Sequence, residues 1–104
     1  SKLVDGRGDT LYVFSLDTSG TSKCTGACSR DWRPMRSSGG KPQPGPGASA
    51  ANIGSIQLPD GSDQVTFNGR PLYYYSGDTG PGQSAGHGRS AYGGQWSAAP
   101  PTKP

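Results

Sequence analysis

Two stretches of this 104-residue chain align with each other without a gap: GDTLYVFSLDT at residues 8–18 and GRPLYYYSGDT at residues 69–79. Each carries Tyr-x-aromatic-x-x-Asp. Tyr12, Phe14 and Asp17 in the first copy stand 61 positions before Tyr73, Tyr75 and Asp78 in the second. Residues two apart on a strand share one face, so Tyr and the second aromatic of each copy point the same way. The Asp falls three residues further on, beyond the strand, where its carboxylate can close a turn. Each copy is also followed by a Trp, at Trp32 and Trp96. A duplicated aromatic strand predicts two similar β units that pack their ring faces together about a pseudo-two-fold axis.

Composition explains why aromatics have to carry the core. Only 29% of residues are hydrophobic, and 18 Gly and 10 Pro leave few positions for packing. The mean hydropathy is −0.72. Five Tyr, two Trp and two Phe supply most of the apolar bulk. A large aromatic buries on the order of 150–250 Å², so a few can stand in for many aliphatic side chains. All seven acids are Asp. Asp favours turns and Glu favours helices, which again fits a turn-rich β fold. The net charge of +3 is mild, and its cations are spread along the chain rather than gathered on one face. A nucleic-acid partner is therefore not expected. No apolar run approaches the roughly 20 residues of a membrane span.

The expected architecture is all-β: a small sandwich or barrel-like domain over residues 1–104, with two pseudo-repeated β units and one short helix near the Cys pair. Apolar runs flank DGRGD at residues 5–9 and read as a hairpin. Residues 24–32 are the one candidate helix, ended before Pro34. Residues 37–52, SSGGKPQPGPGASAAN, read as a surface loop or linker. Strands are expected at residues 56–58, 64–67, 71–75 and 95–97, with Asp60-Gly61 and Asn68-Gly69 as turns. Residues 77–94 read as a Gly-rich loop and residues 98–104 as a flexible tail.

Three blocks, LVDGRGDTLYVFSLDTSGTSKCTGACSRDW, GSIQLPDGSDQVTFNGRPLYYYSGDTGPGQSAGHG and GGQWS, resemble the bacterial secreted-repeat and lipoprotein family with the Yx(F/W/Y)xxD motif. They cover nearly everything outside the linker and tail. The sequence departs from the family pattern at Arg33 and Met35 within WRPM, and at His87. The resemblance implies export, to the medium or the outer face of the cell envelope, and implies no established activity.

In an exported chain, Cys24 and Cys28 most simply form a disulfide. The alternative, a redox dithiol, usually needs C-x-x-C at a helix start in an α/β setting. A copper site from His87, Met35 and the N-terminal amine is chemically conceivable, since His and Met suit copper. A His between glycines is more simply a solvated loop residue, and no D-x-D-x-D-G calcium loop is present. No metal ligand, cofactor or catalytic residue is therefore assigned. Arg7-Gly8-Asp9 spells an adhesion tripeptide, which the need for Gly in a tight turn already explains. There is no G-x-S-x-G, no P-loop and no Glu for a mixed carboxylate pair.

The function expected is a non-enzymatic binding or scaffold module, monomeric, with an extracellular or envelope partner, protein or polysaccharide. Arg30, Arg33, Arg36, His87 and Tyr92 are its candidate binding residues. An envelope redox or copper-handling accessory is the alternative. A secreted protease inhibitor is a further one, although it needs a rigid exposed loop and residues 37–52 read as too flexible for that role.

Overall fold

The computed structural model describes residues 3–5, 8–17, 22–24, 26–36, 53–58, 61–80 and 83–99. The expected linker at 37–52 and most of the expected tail lie outside these residues. Elements follow in chain order as β1 (Tyr12–Phe14), α1 (Cys28–Asp31), β2 (Trp32–Pro34), β3 (Ile53–Gln57), β4 (Asp63–Phe67), β5 (Arg70–Pro71), β6 (Tyr73–Tyr75), β7 (Arg89–Ala91) and β8 (Gly94–Ala98). Among the described residues the fold is all-β with one short helix. A five-stranded antiparallel sheet has the order β2-β6-β1-β8-β7, and a three-stranded one the order β3-β4-β5.

The duplication is written into the five-stranded sheet. The two motif strands β1 and β6 are central neighbours, and Tyr12 lies opposite Tyr73. Each is flanked by the strand that carries its partner Trp. Trp32 faces Tyr75 across β2 and β6, and Trp96 faces Phe14 across β8 and β1. Backbone bonding repeats the symmetry where the strands leave the sheet. Leu3 donates to Ala99, Ala99 to Leu11 and Leu11 to Leu3, at 2.8–3.1 Å. In the other half Val65 donates to Met35, Met35 to Leu72 and Leu72 to Val65, at 2.7–3.0 Å. Two closed three-way exchanges of this kind satisfy the backbone polar groups at buried crossing points that would otherwise be costly.

Both faces of β1 are buried, so the core has two layers. Val13 points into an aliphatic cluster with Leu3, Leu11, Met35, Val65, Phe67, Leu72 and Ala99. Tyr12 and Phe14 point into an aromatic cluster with Trp32, Tyr73, Trp96 and the two cysteines. Alternation along a strand of period two produces this division directly.

Several boundaries differ from those expected. Residues 24–32 hold a four-residue helix only, and Trp32–Pro34 is a strand. Pro34 is tolerated there because β2 is an edge strand. The strand expected at 71–75 is broken at Leu72, whose backbone serves the three-way exchange. The region 77–94 is not all loop, since β7 forms a hairpin with β8 through Tyr92 and Gly93, both at positive φ. The Asn68-Gly69 turn has the same double positive φ, as a two-residue hairpin of this type requires. Order also runs further than expected at the C-terminal end: Ala98 belongs to β8 and Ala99 is buried.

Candidate functional site

The motif residues converge at the centre of the molecule, but not in the way each copy suggests alone. The Tyr12 hydroxyl donates to Asp78 Oδ2 at 2.7 Å, and the Tyr73 hydroxyl donates to Asp17 Oδ2 at 2.7 Å. Each tyrosine therefore serves the aspartate of the other copy. The aspartates do close their own turns, through the other carboxylate oxygen: Lys23 N–H donates to Asp17 Oδ1 at 2.6 Å and Ala85 N–H to Asp78 Oδ1 at 2.9 Å. The crossing follows from Tyr12 lying opposite Tyr73 in antiparallel register, which points each ring toward the far copy's turn. The local reading of the motif missed it. The constant offset of 61, combined with antiparallel pairing, was the signal that contained it.

The pattern extends further. Tyr74 donates to Asp5 Oδ2 at 2.8 Å and Tyr92 to Asp31 Oδ2 at 2.5 Å. Four of the five tyrosines thus hold an aspartate. Burial, reinforced by the bond to the carboxylate, pushes the Tyr12 and Tyr73 hydroxyls well above their ordinary range, because ionisation would place a second anion beside Asp78 or Asp17. Burial also raises the Asp17 carboxyl, against the bonds from Tyr73 and Lys23 that favour its ionised form. The exposed Tyr92 hydroxyl is raised chiefly by its bond to Asp31.

Around these pairs the rings form one ordered stack. Tyr75, Trp32, Trp96 and Phe14 stack in that order, with centroids 4.3, 4.0 and 4.1 Å apart; the last three rings are nearly parallel and Tyr75 is tilted 27° to Trp32. Tyr12 meets Trp32 edge-on at 5.4 Å, and Tyr73 meets Trp96 edge-on at 5.0 Å. Glycines allow the chain to close over both ends. A Cβ on Gly86 would lie 2.7 Å from Trp32, and one on Gly94 would lie 2.6 Å from Phe14. Arg89 lies over Tyr75 with its guanidinium carbon 5.2 Å from the ring centre. Sequence reasoning did not single out Arg89.

Beside this core is a surface cleft of about 140 Å³, lined by Asp9, Thr10, Arg33, Tyr74, Tyr75, Asp78, Thr79 and Gly80. Hydrogen bonds from the Thr10 hydroxyl to the Gln83 carbonyl, and from Thr79 N–H to Gln83 Oε1 at 2.8 Å, tie this region together. Arg33 lies over Tyr74, 5.4 Å from the ring centre.

Among the expected binding residues, only Arg33 lines this cleft. Arg30 and Arg36 are exposed, the first on α1 and the second bridged to Gln64. His87 is exposed and its Nδ1 accepts the Ala98 N–H at 3.0 Å. Tyr92 is 44% exposed, at the β7–β8 turn. Met35 is fully buried in the aliphatic cluster. It packs as a core residue, whereas His87 is exposed, and the N-terminal amine of the copper set lies outside the described residues. Among the described residues no group of three His, Cys, Asp or Glu is placed to hold a metal. Cys24 and Cys28 are joined by a disulfide, with Cα atoms 5.2 Å apart, on the side of the aromatic cluster next to Trp32. No helix among the described residues is long and apolar enough to cross a membrane.

A family model described as a secreted repeat of unknown function matches residues 1–36 and 54–99. No curated protein and no solved structure matches the chain.

Proposed function

The chain belongs to that family of secreted repeats, and from this premise we propose that it is a non-enzymatic module that binds an extracellular or envelope polysaccharide through the cleft beside Arg33. The cleft's lining carries the reading. Arg33 supplies donors, Asp9 and Asp78 supply acceptors, and the Thr79 hydroxyl can act as either. Sugar hydroxyls both donate and accept, so a lining that mixes the two suits them better than a single-sign patch would. The cationic and acidic groups sit in one small concavity, which disfavours a strongly charged polymer. The non-enzymatic part of the proposal is supported by how the motif is used. The Tyr12 and Tyr73 hydroxyls are already bonded to Asp78 and Asp17, so these pairs are satisfied within the fold.

The test is binding of the folded protein to purified cell wall, a neutral polysaccharide and envelope proteins, compared with Arg33→Ala. Arg33 is exposed on an edge strand, so its truncation leaves the core intact. Retention on polysaccharide that Arg33→Ala loses supports the proposal. No retention, or retention unaffected by the substitution, overturns it.

A further inference from the structure

The aromatic stack has properties that packing alone does not call for. Its four stacked rings differ in chemistry from one end to the other. Phe14 is nearly inaccessible and hard to oxidise. Tyr75, at the opposite end, is only half-buried and is a phenol. Between them stand two indoles in face-to-face contact, and each indole touches the edge of a tyrosine that is hydrogen-bonded to a carboxylate. Indoles and phenols are the side chains most easily oxidised by one electron, apart from thiols, and both cysteines here are already in a disulfide. Rings in van der Waals contact exchange electrons far faster than rings separated by saturated chain.

Where protons can go decides where an oxidation would settle. A tryptophan cation radical is trapped when its N–H finds a base. Trp96 Nε1 is buried and has no hydrogen-bond partner among the described residues. An oxidised Trp96 therefore keeps its proton and remains a strong oxidant toward the adjoining Tyr73. An oxidised phenol is a strong acid, and here its proton already lies on a short bond to a carboxylate. Transfer along that bond converts a half-buried anion beside a neutral phenol into a neutral acid beside a neutral radical. Partial desolvation of the pair favours that loss of charge.

We propose that Tyr75, Trp32 and Trp96 form a relay that carries a one-electron oxidation from the surface to the Tyr12–Asp78 and Tyr73–Asp17 pairs. The oxidant is a one-electron acceptor in the surrounding medium, and it leaves reduced by one electron. The vacancy passes from Tyr75 or Trp32 along the stack. At Tyr12 the ring gives up one electron to the oxidised indole, and its hydroxyl proton moves to Asp78 Oδ2. The products are a neutral Tyr12 radical and a protonated Asp78. The same step at Tyr73 protonates Asp17. Arg89 over the Tyr75 ring favours onward movement, because a positive charge on that ring is repelled by the guanidinium.

The experiment uses photogenerated tris(bipyridine)ruthenium(III) as the oxidant, with transient absorption and electron paramagnetic resonance as readouts. A Tyr92→Phe, Tyr74→Phe background removes the two other phenols that hold an aspartate. The expected result is an indole radical that decays into a long-lived neutral tyrosyl radical. In Asp17→Asn plus Asp78→Asn the one carboxamide oxygen can still accept the tyrosine bond, with the backbone bond to the other oxygen lost, but it cannot take the proton. The tyrosyl yield should then fall several-fold while the indole signal persists. Each single Asn substitution leaves one pair working and should lose part of the yield, which keeps the test open if the double variant does not fold. Equal tyrosyl yields with and without the carboxylates, or a radical confined to Tyr75, overturn the proposal. Polysaccharide binding is a separate measurement, so failure of one reading leaves the other standing.

Discussion

The two ends of the crossed motif make the same bond and secure it by different means. At one end Tyr73 meets Asp17, with Ser22 and the Lys23 backbone completing the shell, and the turn runs directly into the Cys24–Cys28 disulfide. At the other, Tyr12 meets Asp78, with the Ala85 and Gly86 backbone N–H groups in those places. No disulfide follows. Instead Gly86 lies flat against Trp32 and Tyr75, where a side chain would not fit. The connection from Asp to Trp is also longer in the second copy, so the motif offset of 61 becomes 64 at the tryptophans. The extra length makes room for β7, which stands where the first copy has α1. A covalent link thus holds one end and close backbone packing holds the other. The conserved-geometry part of the design is the tyrosine–carboxylate bond itself, and the surroundings are free to differ.

The largest expected effect falls on the shared element. Tyr12→Ala and Tyr73→Ala should each cost about 3–5 kcal/mol in denaturant unfolding, since both rings are fully buried and support a Trp. Equal costs at the two ends support the symmetry; a cost under about 1 kcal/mol at either would break it. Next come the two unlike devices. Gly86→Ala should cost about 1–3 kcal/mol by overpacking against Trp32. Cys24→Ser plus Cys28→Ser should cost about 2 kcal/mol, because the closed loop is short. If removing the disulfide cost more than Tyr73→Ala, the bridge and not the crossed bond would be the main support of that end. Smaller still, Tyr12→Phe and Tyr73→Phe keep the ring and lose the donor. Each should cost about 1.5 kcal/mol, the carboxylate retaining its backbone partner.

The smallest effects are in pH dependence, and they share one sign while falling in different pH windows. The folded-state Tyr12 and Tyr73 hydroxyls titrate above the ordinary 10.0. Their contribution is fully present below that value and is lost as pH rises beyond it, because the unfolded chain ionises first. Asp17 is raised above 3.8 by burial. Its native state takes up a proton first, so this contribution is complete below 3.8 and is lost as pH rises through the folded value. Unfolding midpoints measured across acid and alkaline pH should show the alkaline loss shrink in the two Phe variants. The acid-side term should vanish in Asp17→Asn.

How much of this could be read beforehand depends on whether the information was local. The duplicated strand, the Asn68-Gly69 turn, the Cys24–Cys28 bridge and the inward aromatics follow from spacing and residue type. The β7–β8 hairpin does not, because its turn places Tyr92 at positive φ, a conformation a tyrosine rarely adopts and which tertiary contacts enforce. Met35 resembled a ligand and is a core residue, since the aliphatic layer beneath the sheet cannot be seen from composition. The crossed bonds lay between the two extremes. Both halves of each bond were in the motif, but pairing Tyr12 with Asp78 required knowing that β1 and β6 are neighbours.

The crossing itself is tested most directly by two double-mutant cycles on unfolding free energy, Tyr12→Phe with Asp78→Ala and Tyr12→Phe with Asp17→Ala. Crossed pairing predicts a coupling of at least about 1 kcal/mol between Tyr12 and Asp78, and less than about 0.5 kcal/mol between Tyr12 and Asp17. Coupling of Tyr12 to the aspartate of its own copy, with none to Asp78, would contradict it.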